Sequence, residues 1–223
     1  AGGVIYVRRW NASTGLWGTM ASMNLGSDLL YRVELELVNN RPIIAYQTGH
    51  GGSIVQVKGW NGSSWIDYGG PENSSTFSLT VDKSKKPVLA YQSVAGLLVK
   101  RWDGTQWLPL GGALDIRANA GFFPITSIDV NNNPVVAWLE RNASIPNDGN
   151  YIYVKRWNGS NWQQLGTFIS DNAEPYNLDL TLDGEGHPFV IWQSNLDSAI
   201  YAKHWKVAEN RWRFVGPNPI SNL

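Results

Sequence analysis

The residues of this 223-residue chain whose types could do chemistry are three histidines, a periodic row of aspartates and a set of aromatic–amide pairs. His50 stands in a Gly-rich stretch, His187 just before Pro188 and His204 just before Trp205. No two of them have metal-ligand spacing such as i, i+4 on a helix, and there is no Cys, so the spacing assigns no metal site and no cofactor. Asp82, Asp129 and Asp183 recur just ahead of Lys83-Ser84, Asn131-Asn132 and Gly184-Glu185. A ring of carboxylates could hold a cation through oxygen ligands. The Asn- and Gly-rich neighbours favour another use, in which each Asp accepts hydrogen bonds from the backbone of the turn that follows. A glycoside-cleaving carboxylate pair would have to come from Glu34, Glu36, Glu140, Glu174 and Glu185. The sequence contains no nucleophile elbow, phosphate loop, His-Glu-x-x-His motif or dinucleotide fingerprint. Catalysis breaks a repeat with unique groups in one place, whereas the chemistry here is repeated, which favours binding.

The aromatic pairs are Tyr46-Gln47, Tyr91-Gln92 and Trp192-Gln193, with Trp138-Leu139 as the odd member. Their rings suit stacking on sugar C–H patches, and the amides of Gln47, Gln92 and Gln193 can read hydroxyls. A bulky aromatic at one fixed position per repeat is equally what packing between repeats requires. Arg8, Lys58, Lys100, Lys155 and Lys203 each lie two residues before a Trp and so on its face of a strand. That placement suits a cation over an aromatic ring, and charge on an outer strand also discourages edge-to-edge pairing.

The elements that must position these groups are set by a repeat. Trp10, Trp60, Trp102, Trp157 and Trp205 are separated by 50, 42, 55 and 48 residues, and each is followed by a second Trp, at 17, 65, 107, 162 and 212. Between these pairs Pro42, Pro87, Pro134 and Pro188 each open an apolar run, and upstream of each lies an alternating segment such as Val33/Leu35/Leu37 or Leu178/Leu180/Leu182. Alternation with period two reads as a half-buried strand. One repeat therefore holds four strands: A is the alternating segment, B starts at the Pro, C ends at the first Trp, and D starts at the second. Asn61-Gly62, Asp103-Gly104 and Asn158-Gly159 predict a type I′ turn between C and D. The fold class is all-β, a β-propeller of four-stranded antiparallel blades with about five repeats, the first incomplete. Residues 1–223 read as a single domain: a half-blade over 1–20, then repeats over about 28–70, 73–112, 122–167 and 174–216. Residues 217–223 resemble the start of another D–A connection. The strands missing from the first blade are expected either beyond residue 223 or from a second chain, which makes a homo-oligomer through the half-blade one expectation.

Eighteen basic residues balance eighteen acidic ones, so the basic excess that phosphate binding needs is missing and nucleic acid is not the expected partner. No apolar run approaches the roughly 18 residues of a membrane span. The units, as in Ile152-Tyr153-Val154-Lys155-Arg156-Trp157-Asn158-Gly159-Ser160-Asn161-Trp162-Gln163-Gln164-Leu165-Gly166, resemble those of Trp-rich bacterial secreted propellers. In layout they are similar to sialidase-like propeller lectins of the Photorhabdus lectin type. Of the sialidase Asp-box hairpin, Ser/Thr-x-Asp-x-Gly-x-Thr-Trp, the turns keep only the Gly and the Trp. The resemblance implies a non-catalytic, lectin-like carbohydrate-binding propeller with repeated weak sites, extracellular or at the cell surface, with glycans as partners. The alternative expectation is a structural or protein-interaction propeller. Asn11, Asn61, Asn73, Asn142 and Asn158 open Asn-x-Ser sequons, and the three in C–D hairpins are explained by turn chemistry alone.

Overall fold

The computed structural model describes residues 3–49, 54–70, 74, 76–117, 120–141, 149–170 and 174–222. His50 and the sequons opened by Asn73 and Asn142 fall outside the described residues. The contacts divide the chain into residues 1–75 and 76–223. In the first unit, β1 (Val4–Asn11) and β2 (Leu16–Asn24) form a two-stranded sheet, while β3 (Leu30–Val38), β4 (Arg41–Thr48), β5 (Ile54–Trp60) and β6 (Trp65–Asp67) form a four-stranded one. The second unit holds three sheets. One is β7 (Phe77–Val81), β8 (Pro87–Ser93), β9 (Gly96–Trp102) and β10 (Trp107–Pro109); the next is β11 (Gly121–Ile128), β12 (Pro134–Arg141), β13 (Asn150–Trp157) and β14 (Trp162–Gln164). The last is β15 (Pro175–Leu182), β16 (Pro188–Ser194), β17 (Ala199–Lys206) and β18 (Arg211–Phe214), with β19 (Ser221–Asn222) also on β17. Each four-stranded sheet runs A to D in chain order with antiparallel pairing, as a propeller blade does, and β1–β2 is a C–D half-blade. Among the described residues no helix is long and apolar enough to cross a membrane.

The burial of the strands follows from their rank in the sheet. In β4, β8 and β12 strand B is central and covered on both faces, so Ile43–Gln47, Val88–Tyr91 and Val135–Leu139 are buried without alternation, whereas β16 alternates and leaves Ile191 42% exposed. The Pro that opens β8, β12 and β16 sits at a strand's first position, where its missing N–H breaks least of the ladder. Short strand D stops after three residues in the three inner blades and continues as a linker that still bonds strand C. Leu114 N–H donates to Leu97 O at 2.8 Å, Ile169 N–H to Ile152 O at 2.8 Å and Ile220 N–H to Ile200 O at 2.8 Å. The stretch before β19 thus follows the path of the D–A connections.

The C–D turns depart from the expected type I′ geometry. Gly62, Gly104 and Gly159 have φ of 112°, 124° and 100°, while the Asn or Asp before each keeps negative φ. The side chain makes the turn instead. Asn61 Oδ1 accepts from Ser63 N–H at 2.8 Å and Ser64 N–H at 2.9 Å, and Asp103 Oδ1 accepts from Thr105 N–H at 2.7 Å and Gln106 N–H at 2.9 Å. Asn158 does the same to Ser160 and Asn161. An Asx oxygen that reaches two amides removes the need for a second residue at positive φ.

Neighbouring sheets within a unit are tied by a recurring set of contacts. The strand-D indole N–H donates to a carbonyl of the preceding sheet: Trp65 to Ser22 at 2.8 Å, Trp162 to Leu110 at 2.5 Å and Trp212 to Leu165 at 2.7 Å. The strand-C lysine does likewise, Lys155 Nζ to Leu114 O at 2.6 Å and Lys203 Nζ to Ile169 O at 2.7 Å. Strand-C arginine reaches the other way, Arg101 to Asn132 O at 2.8 Å and Arg156 to Gly186 O at 2.5 Å. Gly111 and Gly166 lie under the next sheet's Trp pair; a Cβ there would stand 3.1 Å from Trp157 and 3.2 Å from Trp205, and both glycines have positive φ. No other residue fits both conditions.

One expected core face is open. Val33, Leu35 and Leu37 on β3 are 44%, 54% and 56% exposed, while Glu34 and Glu36 are the half-buried row. Pairing places Val33 opposite Tyr46 and Leu35 opposite Ile44, so the ladder shares a face with the two strand-B residues that pack on Ile5, Val7 and Ala21. The covering sheet contributes only strands C and D, and the apolar row of β3 extends past it.

Asp103 supplies a test of the hairpin. The amides of Gln106 and Thr105 hold its carboxyl at about 2, below the ordinary 3.8. A depressed carboxyl contributes stability that is present above the unfolded value and lost as pH falls from about 4 through about 2. Asp103→Asn reproduces the Asn61 and Asn158 turns, so it should fold normally and flatten that acid limb, read as thermal midpoints between pH 2 and 5.

Candidate functional site

The surroundings of the strand-B aromatics make them packing groups. Tyr46, Tyr91, Trp138 and Trp192 are 3%, 3%, 0% and 2% exposed. Trp138 stacks on Tyr153 at 5.8 Å and Trp192 on Tyr201 at 5.6 Å, each a cross-strand partner on strand C. Tyr46 donates its hydroxyl to Gln56 Oε1, and burial, then Asp67 and Asp28, push its pKa up to about 12. The expected stacking of sugar on these four rings meets a physical obstacle, because protein covers their faces. Gln47 is also buried and donates to Ser74 O at 3.2 Å, whereas Gln92 and Gln193 are partly open. Leu139, in the place of the amide, belongs to the core.

Trp138 Nε1 donates to Glu140 Oε2 at 2.9 Å, and the same carboxylate accepts from Ile116 N–H and Arg117 N–H at 3.0 Å each. Glu140 is therefore an anchor for the linker that precedes β11. Glu34 pairs with Arg32. Burial, then the Glu34 charge, raises the pKa of Glu36 from its ordinary value. Glu34 and Glu36 sit two apart on one strand and line one wall, whereas a glycoside-cleaving pair must flank the scissile bond.

The strand-C lysines do not lie over the strand-C Trp rings as their spacing suggests. Lys100 stands over Tyr91 at 5.5 Å and Lys155 over Trp138 at 5.7 Å, because each is drawn inward across the strand pair. Burial lowers the pKa of Lys155, and Lys203 is 6% exposed, so this row presents little free positive charge to a ligand.

The three periodic aspartates cap their turns. Asp82 Oδ1 accepts from Lys86 N–H at 2.9 Å, Asp129 Oδ1 from Asn131 and Asn133 N–H at 2.9 Å, and Asp183 Oδ1 from Glu185 N–H at 2.9 Å and His187 N–H at 2.8 Å. Their second oxygens face strand C, where Asp82 meets Arg101 at 3.3 Å and Asp129 meets Arg156 at 3.5 Å. In the last sheet that position is His204, 3.1 Å from Asp183 Oδ2, and His187 Nδ1 approaches the same oxygen at 3.3 Å. Burial raises the Asp183 carboxyl, but the His187 and Glu185 amides and the two imidazoles bring it below its ordinary value. Burial and Lys206 lower His204. Sequence spacing hid this cluster. It comes from a turn, the residue before strand B and the end of strand C, joined by the Phe189–His204 pairing. A groove of about 900 Å³ opens beside it, lined also by Trp205, Lys206 and Glu209.

These sheets and seams define the class: the chain is an all-β propeller of four-stranded antiparallel blades with an incomplete first blade. No family model matches it, and no curated protein does. Solved structures do. A Dyadobacter fermentans protein of unknown function aligns at TM-score 0.60 and 10% identity, over 85% of this chain and 70% of its own. Aleuria aurantia lectin, in complex with Fucα1-6GlcNAc, aligns at TM-score 0.58 and 17% identity, over 90% of this chain and 67% of its own. A Hadza microbial sialidase aligns at 0.59 and 12%, over 82% and 46%. At these identities the likeness is one of fold.

The packing role of the strand-B rings has a measurable consequence. Trp192→Ala and Tyr91→Ala should each lower unfolding stability by roughly 3–5 kcal/mol in urea titrations, as large core truncations do. A folded variant with an unshifted midpoint would show the ring to be free for a ligand.

Proposed function

We propose that this chain is a non-catalytic, lectin-like carbohydrate-binding propeller with repeated weak sites, acting outside the cell or at its surface. The observation that carries the reading is the recurrence of one aromatic–amide unit at one strand-B position, as Tyr46-Gln47, Tyr91-Gln92 and Trp192-Gln193, with Trp138-Leu139 as its apolar variant. Two proteins of this fold bear sugar-handling names, a lectin in complex with a fucosylated disaccharide and a sialidase. In this reading the buried rings of Tyr46, Tyr91, Trp138 and Trp192 position the strand, and the partly exposed side chains of Gln92, which also accepts from Thr76 Oγ1, and Gln193 meet sugar hydroxyls. Gln47, already bonded to Ser74, holds its site's shape. Repeated sites on one chain raise avidity through effective concentration without any new contact.

A glycan array followed by calorimetry tests this. Binding with more than one sugar per chain is expected, and Gln92→Ala or Gln193→Ala should each remove one site while the fold persists. An array with no bound glycan overturns the reading.

The open β3 ladder favours a second reading, an interaction propeller that a second copy of the chain completes. Among the described residues β1 pairs with β2 alone, and Val33, Leu35 and Leu37 are exposed on β3. In residues 76–223 the corresponding row, Leu178 and Leu180, packs on Val135, Ala137 and Leu139. Sedimentation should then show a concentration-dependent dimer or higher form that Leu35→Lys returns to monomer. A monomer at all concentrations sinks this reading.

A further inference from the structure

The turn between β15 and β16 is where the repeat breaks chemically. In the two preceding sheets an aspartate at the end of strand A faces an arginine one residue before the strand-C Trp, and the residue before the strand-B Pro is Lys86 or Asn133. In the last sheet both positions are histidine. Asp183 keeps its turn-capping role through Oδ1, which leaves Oδ2 directed between two imidazoles, 3.3 Å from His187 Nδ1 and 3.1 Å from His204 Nε2. The three ligand atoms lie within 4.8 Å of one another. Phe189 stacks on His204 with centroids 3.8 Å apart and planes 10° apart, which fixes that ring's orientation. His187 is the more open of the two imidazoles, and the groove runs past them.

We propose that Asp183, His187 and His204 form a binding site for a divalent transition-metal ion of the zinc type. Two imidazole nitrogens and one carboxylate oxygen suit zinc, nickel or copper, whereas calcium and magnesium take oxygen ligands. An ion about 2.0–2.1 Å from each ligand in tetrahedral geometry spaces the ligand atoms about 3.3 Å apart. The two distances at Asp183 Oδ2 already have that length. The third closes by rotation of the His187 ring, which at 23% exposed is the less buried of the two imidazoles. The fourth position faces the groove, where Glu185, 3.5 Å from His187 Nδ1, is the protein oxygen at hand, and water is the other candidate. The site stands independently of the carbohydrate reading, because none of its residues belongs to the strand-B units.

The rest of the repeat supplies the control variants. His204→Arg and His187→Asn install the residues that Arg156 and Asn133 represent in the neighbouring sheet, so both should keep the fold, checked by circular dichroism and thermal midpoint. The full chain, stripped with chelator, is titrated with Zn²⁺ by calorimetry and with Co²⁺ by visible absorption. One ion per chain is expected, with nitrogen-ligand absorption for Co²⁺ and affinity weakened at least about 10-fold in each variant. Absence of Zn²⁺ binding to the parent up to millimolar concentration overturns the proposal. So does binding that both variants leave unchanged, which would mark adventitious surface sites. If His204→Arg fails to fold, His187→Asn at the more open position decides alone.

Discussion

The hydrogen bond from a strand-D indole to a carbonyl of the preceding sheet is the contact on which the arrangement within each unit depends. Trp65, Trp162 and Trp212 all make it. A four-stranded sheet whose central strand is apolar on both faces cannot stand alone in water, so it must be covered from two sides. The indole helps to fix where the cover lies, and a hydrogen bond of this kind contributes about 0.5–1.5 kcal/mol net. Gly111 and Gly166 follow from it, because a Cβ at the landing place of the Trp pair would press on the indoles and the backbone there has positive φ. The lysine and arginine ties reinforce the seam on either side of the indole with charge-assisted hydrogen bonds to carbonyls.

Where the seam is complete, it consumes the groups that a ligand would need. The aspartates at 82 and 129 are spent on their turns and on arginine, Glu140 on a linker, and Lys155 and Lys203 on carbonyls. Two grooves lie where a seam residue is replaced. In residues 1–75, Gly59 stands where the inner sheets carry arginine, and Tyr68 leans over it beside a cavity of about 190 Å³ lined by Asn39, Arg41 and Trp60. In residues 76–223, His204 takes that place, and its short ring stays with Asp183 instead of crossing to another sheet. The cavities beside Gly59 and His204 therefore lie at positions where the repeat is broken.

The sequence by itself determined the four-strand unit, its all-β class and the half-blade at the start, because Trp spacing, period-two alternation and the strand-B prolines record local geometry that each strand imposes on its own residues. It also determined that Asp82, Asp129 and Asp183 serve turns, since an Asx side chain reaches only amides a few residues away. Tertiary structure alone decided which faces are open. Alternation in β3 placed Val33, Leu35 and Leu37 together on one face, but whether that face is core depends on how many strands the covering sheet has. The same holds for Tyr91 and Trp192, whose type fits a ligand or a neighbour equally well until the neighbour is in place. The approach of Asp183, His187 and His204 required hairpin register and strand pairing to act together, and residues 17 and 21 apart along the chain carry no local signal of that meeting.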